Sequence, residues 1–546
     1  MANPLIMDAL MSAQGTTTPS PSILIPIFFI LMSIIACSYR SWMRLAHIPG
    51  PTAAHCSILW LLRRAWIGEL FPCMVEAGDQ YGIPLLFLHT GIHQGDLVRI
   101  GPNLLLCSDP DEVRRISGIR SEYTKGPAYE AGRVTDGEPH VASQRDPQKH
   151  KALRAKMGPA YSINIEPAID RQMVSFVKLL DEKYAADRKT GKPGRILDFA
   201  KKAQFWSLDC VGDLCFGEPF GFLPRDEDVG GFARLNDLSL RMVTAAGLVP
   251  WLAELKNTWP FNMLVPKEGD KVGFGILFGY AKDLVERKTA EAEKLPVTDK
   301  PGTDMMQMFI RSGMSRHDLM QQVYVHIVCV HRIAGADASS NVARMVMLCI
   351  LTCPPVYMAL QKEIDEADAR GALRYPVATD AEIRRLPYLQ AVIREALRRY
   401  PPSVSPSKVS PLDKVDTVCG YAVPGGTQIG ANVPGMLRNK AIFGQDADQY
   451  RPERWIEAQT DDKDRLRRMN STVDLVFGAG KFQCLGKSVY TMELHKMLVE
   501  LMRRFDFALV DNINPCKVES LAIMVVHDLN VRVSRRSDSA SPFGVQ

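Results

Sequence analysis

No charged residue falls between Ala9 and Tyr39, and Asp8 is the only charged side chain ahead of that stretch. The missing basic N-terminal region argues against a cleaved signal peptide, which needs positive charge before its apolar run. The chain also lacks a strong charge imbalance: +5 over 546 residues is too little to suggest a nucleic-acid partner. No linker-like change in composition separates Pro51 from Arg535, and no repeat recurs, so the length reads as one large body. Two phosphate-binding signatures are absent. Gly478-Ala479-Gly480-Lys481 is followed by Phe482, which breaks the phosphate-loop spacing, and Gly273-Phe274-Gly275 with Gly279 misses the dinucleotide spacing. A nicotinamide cofactor is therefore not expected on this chain.

What the charge-free stretch does hold is an almost continuous apolar run, Ile23 to Cys37. With its flanks it approaches the roughly 20 residues that span a bilayer. Arg40 and Arg44 follow it, so the positive-inside rule places everything after Arg40 in the cytosol. The 12 cysteines are then reduced thiols rather than a disulfide framework, and the sequon Asn470-Ser471-Thr472 stays unglycosylated.

One cysteine stands apart. Phe477-Gly478-Ala479-Gly480-Lys481-Phe482-Gln483-Cys484-Leu485-Gly486 puts Cys484 behind a glycine-rich turn and just ahead of an apolar, helix-like run. A lone cysteine is more often a core residue. This spacing suits an axial thiolate ligand to haem iron: the glycines let backbone approach a porphyrin, and the following helix start stabilises S⁻. A thiolate ligand favours O–O cleavage.

Two upstream motifs complete the pattern. Leu386 to Tyr400 is helix-compatible and stopped by Pro401 and Pro402, with Glu395 and Arg398 on one face at i and i+3. Tyr450-Arg451-Pro452-Glu453-Arg454-Trp455 supplies a further arginine in a proline-punctuated loop. In that order, E-x-x-R, P-E-R-W and the cysteine loop resemble the cytochrome P450 family, over about Ile48 to Arg535. The resemblance implies a mainly α fold with a smaller β region (α+β), preceded by one N-terminal transmembrane helix. It implies haem b with Cys484 as proximal ligand and iron-binding residue. Phe477, Gly478, Gly480 and Gly486 would shape its seat. Glu395, Arg398 and Arg454 would form the buried triad that locks the cysteine loop.

His326 to Ser340 resembles the start of the family's long central helix, whose motif reads A-G-x-D-T-T/S. Ala334 and Gly335 match the small residues that leave room for O₂, and Asp337 matches the acid that relays protons. Ala338 departs from the pattern, standing where the family usually has a threonine whose hydroxyl assists proton delivery. Ser339 follows, about 100° further round the helix. Three readings stay open: Ser339, water or a substrate hydroxyl replaces the threonine, the enzyme leaks reduced oxygen, or the chemistry does not need that proton supply. Ile327, Val330, His331 and Ala334 would lie near the distal pocket, opposite Ser403 to Ser407. For the haem propionates, His150-Lys151-Ala152-Leu153-Arg154 resembles the family's W-x-x-x-R segment, which implicates Arg154 and His150. Lys408 lies where the family often has a basic partner. Phe482 replaces a frequent arginine or histidine, leaving more of that task to Arg154 and Lys408.

Several stretches, among them Leu386 to Gln390 and Gln483 to Lys487, look most like fungal enzymes of the pisatin-demethylase type. That implies an oxidative tailoring step on a lipophilic secondary metabolite, with electrons from a separate NADPH-dependent flavoprotein reductase. Lys481 and Lys487 would belong to its docking face. The expected organisation is a lumenal stretch 1–22, a transmembrane anchor 23–39, a basic and proline-rich hinge 40–51, a catalytic domain 52–536 and a frayed tail 537–546. The expected location is the endoplasmic reticulum membrane, single-pass, with the catalytic domain in the cytosol. Ile83 to Gly95 separates segments that abut in the family, and is either a membrane-facing insertion or a retained intron.

Overall fold

The computed structural model describes residues 25, 29, 32, 33, 36, 39–81, 96–133, 139–187, 189–255, 258–259, 274–294, 304–324 and 336–536. The expected anchor 23–39 lies mostly outside these residues, as do the stretch Ile83 to Gly95 and the tail 537–546. Where 23–39 is described it is helical, and residues 39–44 form the helical stretch α1. Ile25, Phe29 and Met32 are exposed. Among the described residues no single helix is long and apolar enough to cross a membrane.

The helices that position the site are α2 (Leu59–Trp66), α3 (Pro147–Met157), α4 (Glu166–Leu179), α5 (Phe199–Phe216), α6 (Phe232–Leu248), α7 (Ala336–Thr352), α8 (Pro387–Arg399), α9 (Glu453–Asp461) and α10 (Lys487–Met502). Their ends are legible in local chemistry. Asp146 caps α3, accepting from the amides of Gln148 and Lys149, with Pro147 preset at the first helical position. Pro387 opens α8, which ends before Pro401 and Pro402. α5 and α10 are buried along most of their length, so they show little amphipathic periodicity and form the centre of the main apolar core with α7.

The strands are β1 (Leu97–Gly101), β2 (Leu104–Cys107), β3 (Thr124–Lys125), β4 (Leu197–Asp198), β5 (Ser405–Val409), β6 (Asp416–Val418), β7 (Tyr421–Val423), β8 (Gln428–Ala431), β9 (Phe505–Leu509), β10 (Lys517–Ser520), β11 (Met524–His527) and β12 (Asn530–Arg535). The largest sheet among the described residues runs β1-β2-β8-β5-β3. β2 and β8 are parallel, and the other neighbours in it are antiparallel. This sheet carries a second, smaller core of Leu45, Ile48, Leu97, Leu105, Val418, Val423 and Ile429, away from the helical one. The architecture is mainly helical with a small sheet region.

The P-E-R-W segment differs from its expected form. Arg454 sits in the first turn of α9 rather than in a loop. Pro452 presets the backbone there, and Glu453 places a carboxylate at the positive helix end.

Candidate active site

Cys484 lies three residues before α10, on the loop joining it to the turn 474–477. Its amide donates to the Phe477 carbonyl at 2.7 Å, which folds the loop back on itself. Gly478 and Gly480 adopt left-handed backbone, φ +70° and +55°. A Cβ on Gly478 would meet the Phe482 carbonyl oxygen at 2.8 Å, and one on Gly480 the Ser117 carbonyl oxygen at 2.3 Å. Both positions therefore require glycine on conformational and steric grounds. Gly486 differs. Its backbone is ordinary, φ −85°, and a Cβ there would meet only Cys484 Sγ, at 3.9 Å. The protein leaves space on that side of the thiol. Phe477 packs edge-on against Tyr490 of α10, ring centroids 5.2 Å apart, which pins the loop's aromatic entry to the helix that follows.

The Cys484 thiol is free and accessible. Desolvation raises its pKa, while the Gly486 amide, Arg154 and Lys487 pull it down. The expected stabilisation of sulfur by the turn and by nearby charge is thus present, but without iron it does not offset the desolvation. Metal coordination deprotonates a thiol outright.

Around the loop lies a cluster of cations. Arg154 Nη1, from α3, donates to the Gln483 carbonyl at 2.8 Å. His150, one turn earlier on α3, sits with its ring centroid 6.3 Å from that of Phe482. Lys408 Nζ of β5 is 5.4 Å from the Phe482 ring centre, and Lys481 Nζ is 5.2 Å from it. Phe482 thus braces these ammonium groups through its ring face. Lys125 of β3 is the residue that sequence reasoning missed. It stands directly opposite Lys408 in the β3–β5 register. Its Nζ donates to the Val141 and Ala142 carbonyls, both at 2.8 Å. Burial, then Arg154, then Lys408 push its pKa down to about 7. Burial takes Lys408 down to about 8. His150 falls to about 4 through burial and the charges of Lys125, Arg154 and Lys481. Among the described residues, the charges acting on Lys125 and His150 are those of Arg154, Lys408, Lys481 and Lys125 itself, all cationic. Like charges face to face across strands are unfavourable, and such a cluster could hold an anion. No sequence signal marked Lys125, because only strand pairing brings it to Lys408.

The free thiol, the space beside Gly486 and the cationic cluster fit haem: Cys484 would hold the iron, and Arg154, Lys125 and Lys408 would hold the propionates.

The triad residues come together as expected. Glu395, Arg398 and Arg454 are each fully buried. Arg398 Nε and Nη2 grip both Glu395 oxygens at 2.9 and 2.8 Å, and Arg454 Nε reaches Oε1 at 2.9 Å. Trp455 Nε1 donates to Oε2 at 2.9 Å and the Arg451 amide to Oε1 at 3.0 Å. The arginines spend their remaining donors on carbonyls of Leu437, Phe443, Asp446, Ala447 and Gln449, and Arg454 Nη1 also donates to Asp446 Oδ1 at 2.8 Å. The direct target of the triad is therefore the 437–449 segment, not the cysteine loop. Lys481 and Lys487 are also engaged locally. Lys481 Nζ donates to the Ser121 carbonyl at 2.6 Å, and Lys487 lies 3.0 Å from an Asp474 oxygen.

On the distal side the description begins at Ala336. Ala334, Gly335, Ile327, Val330 and His331 lie outside the described residues, and of Asp337 only the helical backbone is described. Ser339 is buried, and its hydroxyl acts on Glu493 of α10. Ser403 to Ser407 runs into β5. Ser403 bridges Ile523, and the Val404 amide donates to the Ala522 carbonyl at 3.0 Å.

Residues 104–534 match the family model of cytochrome P450. A cytochrome P450 monooxygenase, ABA1, of Pyricularia oryzae is 34% identical over 508 residues, covering 92% of this chain and 95% of the relative. The cytochrome P450 monooxygenase aba1 of Botryotinia fuckeliana is 32% identical over 498 residues, covering 90% and 92%. A cytochrome P450 monooxygenase of Aspergillus terreus is 29% identical over 505 residues, covering 90% and 95%.

Proposed function

This chain belongs to the cytochrome P450 family and is a monooxygenase, and from that premise we propose that it oxidises a lipophilic secondary metabolite in a tailoring step. The observation that carries the site is the grouping of the accessible Cys484 thiol with the cations Arg154, Lys125 and Lys408. Haem b, held through Cys484, supplies oxygen activation and attack on an unactivated C–H bond. The chain's own residues do the rest. The 477–486 loop holds the sulfur at fixed height, since its amide bond to Phe477 and its two left-handed glycines leave little backbone freedom. The cations Arg154, Lys125 and Lys408 would hold the propionates. Asp337, with Gly335 and Ala334 beside it, takes the proton-delivery and oxygen-admitting positions. Ser339, buried on α7, is the second residue assigned to proton handling beside Asp337.

The relatives are fungal monooxygenases, which supports a fungal tailoring enzyme fed by an NADPH-dependent flavoprotein reductase. Lys481 and Lys487, which flank the cysteine loop, are the basic residues assigned to the acidic face of such a donor, each also held by a local contact. Membrane attachment at the endoplasmic reticulum, catalytic body in the cytosol, is supported by apolar exposure. Leu59, Trp66 and Ile67 at α2, Met242 of α6 and Trp251 all face solvent. Arg241 Nη1 donates to the Trp66 carbonyl at 2.5 Å, so the α2 and α6 members adjoin.

The test is the reduced, carbon-monoxide difference spectrum of membranes expressing the chain, beside Cys484→Ala. A band near ~450 nm that the variant loses supports thiolate ligation; no band in haem-replete protein sinks it. A second reading, a non-hydroxylating haem-thiolate enzyme (isomerase, dehydratase or ring-coupling oxidase), rests on Ala338 in place of a hydroxyl-bearing residue. Incorporation of ¹⁸O from O₂ into product argues against it. A non-catalytic lipophile binder is eliminated by ligand-stimulated NADPH consumption with reductase present.

A further inference from the structure

Arg99 is fully buried and has no carboxylate partner among its hydrogen bonds. Its side chain spends all its bonds on carbonyls: Ser41 at 3.0 Å, Trp42 at 3.0 Å, Pro102 at 2.7 Å, Gly101 at 3.2 Å and His55 at 3.4 Å. Ser41 and Trp42 belong to the last turn of α1, whose terminal carbonyls have no partner inside the helix. A cation there also meets the negative end of the helix dipole. The guanidinium therefore caps α1 from a residue more than fifty positions away, in the middle of β1.

The connection is reinforced on both sides. Ser41 Oγ donates to the Pro102 carbonyl at 3.1 Å. Arg44 Nη2 donates to the Gly425 carbonyl, and His47 Nε2 lies 2.8 Å from the Ala422 carbonyl. Leu45 and Ile48 are fully buried in the smaller core, against β1, β2 and β8. The stretch Ile48-Pro49-Gly50-Pro51, expected to act as a hinge, is itself clamped. The Arg99 amide donates to the Pro49 carbonyl at 2.7 Å, and a Cβ on Gly50 would meet the Arg99 carbonyl oxygen at 2.1 Å. Between 41 and 50 the chain is tied at Ser41, Trp42, Arg44, His47 and Pro49 and buried at Leu45 and Ile48, which leaves little of the freedom a joint needs.

We propose that Arg99 locks α1 onto the sheet as a single rigid unit, so that a lipid bilayer holding α1 meets the catalytic body at one fixed attitude. Linker length then does not set how the body rides on the membrane. The direction of α1 sets it, and that direction is imposed by the sheet. The orientation half of the proposal rests on the bilayer reading above; the lock itself does not.

Hydrogen exchange of the full-length holoprotein in detergent tests the lock, read on peptides covering residues 40–50. Slow exchange is expected in the wild type, and at least tenfold faster exchange in Arg99→Met with its ~450 nm band kept. Wild-type exchange as fast as an unstructured peptide, or Arg99→Met matching wild type, overturns it. Should Arg99→Met lose the spectrum, the double variant Arg44→Ala/His47→Ala, at the surface, is held to the same comparison with a threshold of about threefold. Linear dichroism of the haem in oriented phosphatidylcholine–phosphatidylserine bilayers then tests attitude. A narrow wild-type tilt that broadens in the variant supports the proposal, and an equally broad wild-type tilt overturns it. A chain that does not stay with the bilayer fails the anchor reading, and the exchange measurement alone then decides the lock.

Discussion

Lys125 and Lys408 face each other across antiparallel strands β3 and β5, both buried, within one cationic cluster. Two ammonium groups in register is an unfavourable arrangement for the protein alone. It becomes favourable when an anion with two carboxylates sits between them and Arg154.

Removing one of these lysines is expected to loosen haem. Lys125→Met and Lys408→Met should each speed haem transfer to excess apomyoglobin by on the order of tenfold, a loss of about 1.4 kcal/mol. The pH dependence has a definite sign. In the haem-free chain their pKa values are about 7 and about 8. Below pH 7 both are charged and capture haem well; through pH 7 to 9 they lose charge and capture weakens. Lys125→Met should flatten the lower part of that profile. A profile unchanged by either substitution would remove both residues from the propionate site.

Gly480 and Gly486 are expected to fail in different ways. Gly480→Ala forces a Cβ onto the Ser117 carbonyl oxygen in left-handed backbone, and should lower stability by about 2 kcal/mol or more along with the haem spectrum. Gly486→Ala meets only the Cys484 sulfur. It should leave the urea midpoint of haem-free protein within error while displacing or abolishing the ~450 nm band. Equal loss of stability in both variants would mean that Gly486 is structural.

Glu395→Gln should be far more damaging than a surface charge change. It leaves buried Arg398 with no carboxylate and Arg454 with Asp446 alone, at a cost of about 3–5 kcal/mol. Trp455→Phe removes one hydrogen bond to the same carboxylate and should cost about 1 kcal/mol. Denaturant midpoints give the ranking.

Glu493 carries a raised pKa of about 8, because it is buried and only Ser339 assists its charged form. Neither of its oxygens makes a well-formed hydrogen bond. A carboxyl held protonated in the fold but ionised when unfolded stabilises below its unfolded pKa, and that stabilisation is lost as pH rises through the folded value. Stability should therefore fall between about pH 5 and 8 in the wild type, and Glu493→Gln should flatten the fall. Parallel slopes for the two proteins would overturn this.

The order of motifs made the helical class legible and marked Cys484 as the candidate ligand, because Glu395 with Arg398 and the Phe477–Gly486 loop are local patterns whose chemistry does not depend on distant chain. Arg454 was also visible, although its place in a helix was not, since Pro452 and Glu453 make a better helix start than the proline-rich context suggests. Lys481 and Lys487 looked like docking charges, yet each meets a partner, Ser121 and Asp474, that spacing does not reveal.

Local order along the chain thus marked Cys484 as the candidate iron ligand and Glu395 as the acid of a buried ion cluster, because turn geometry and helix periodicity act over a few residues. Tertiary folding alone decided the rest: that Lys125 meets Lys408, that Ser339 meets Glu493, and that Arg99 caps α1. Each of these depends on strand register or on helix packing between residues far apart in sequence, and no local pattern encodes the partner across such a contact.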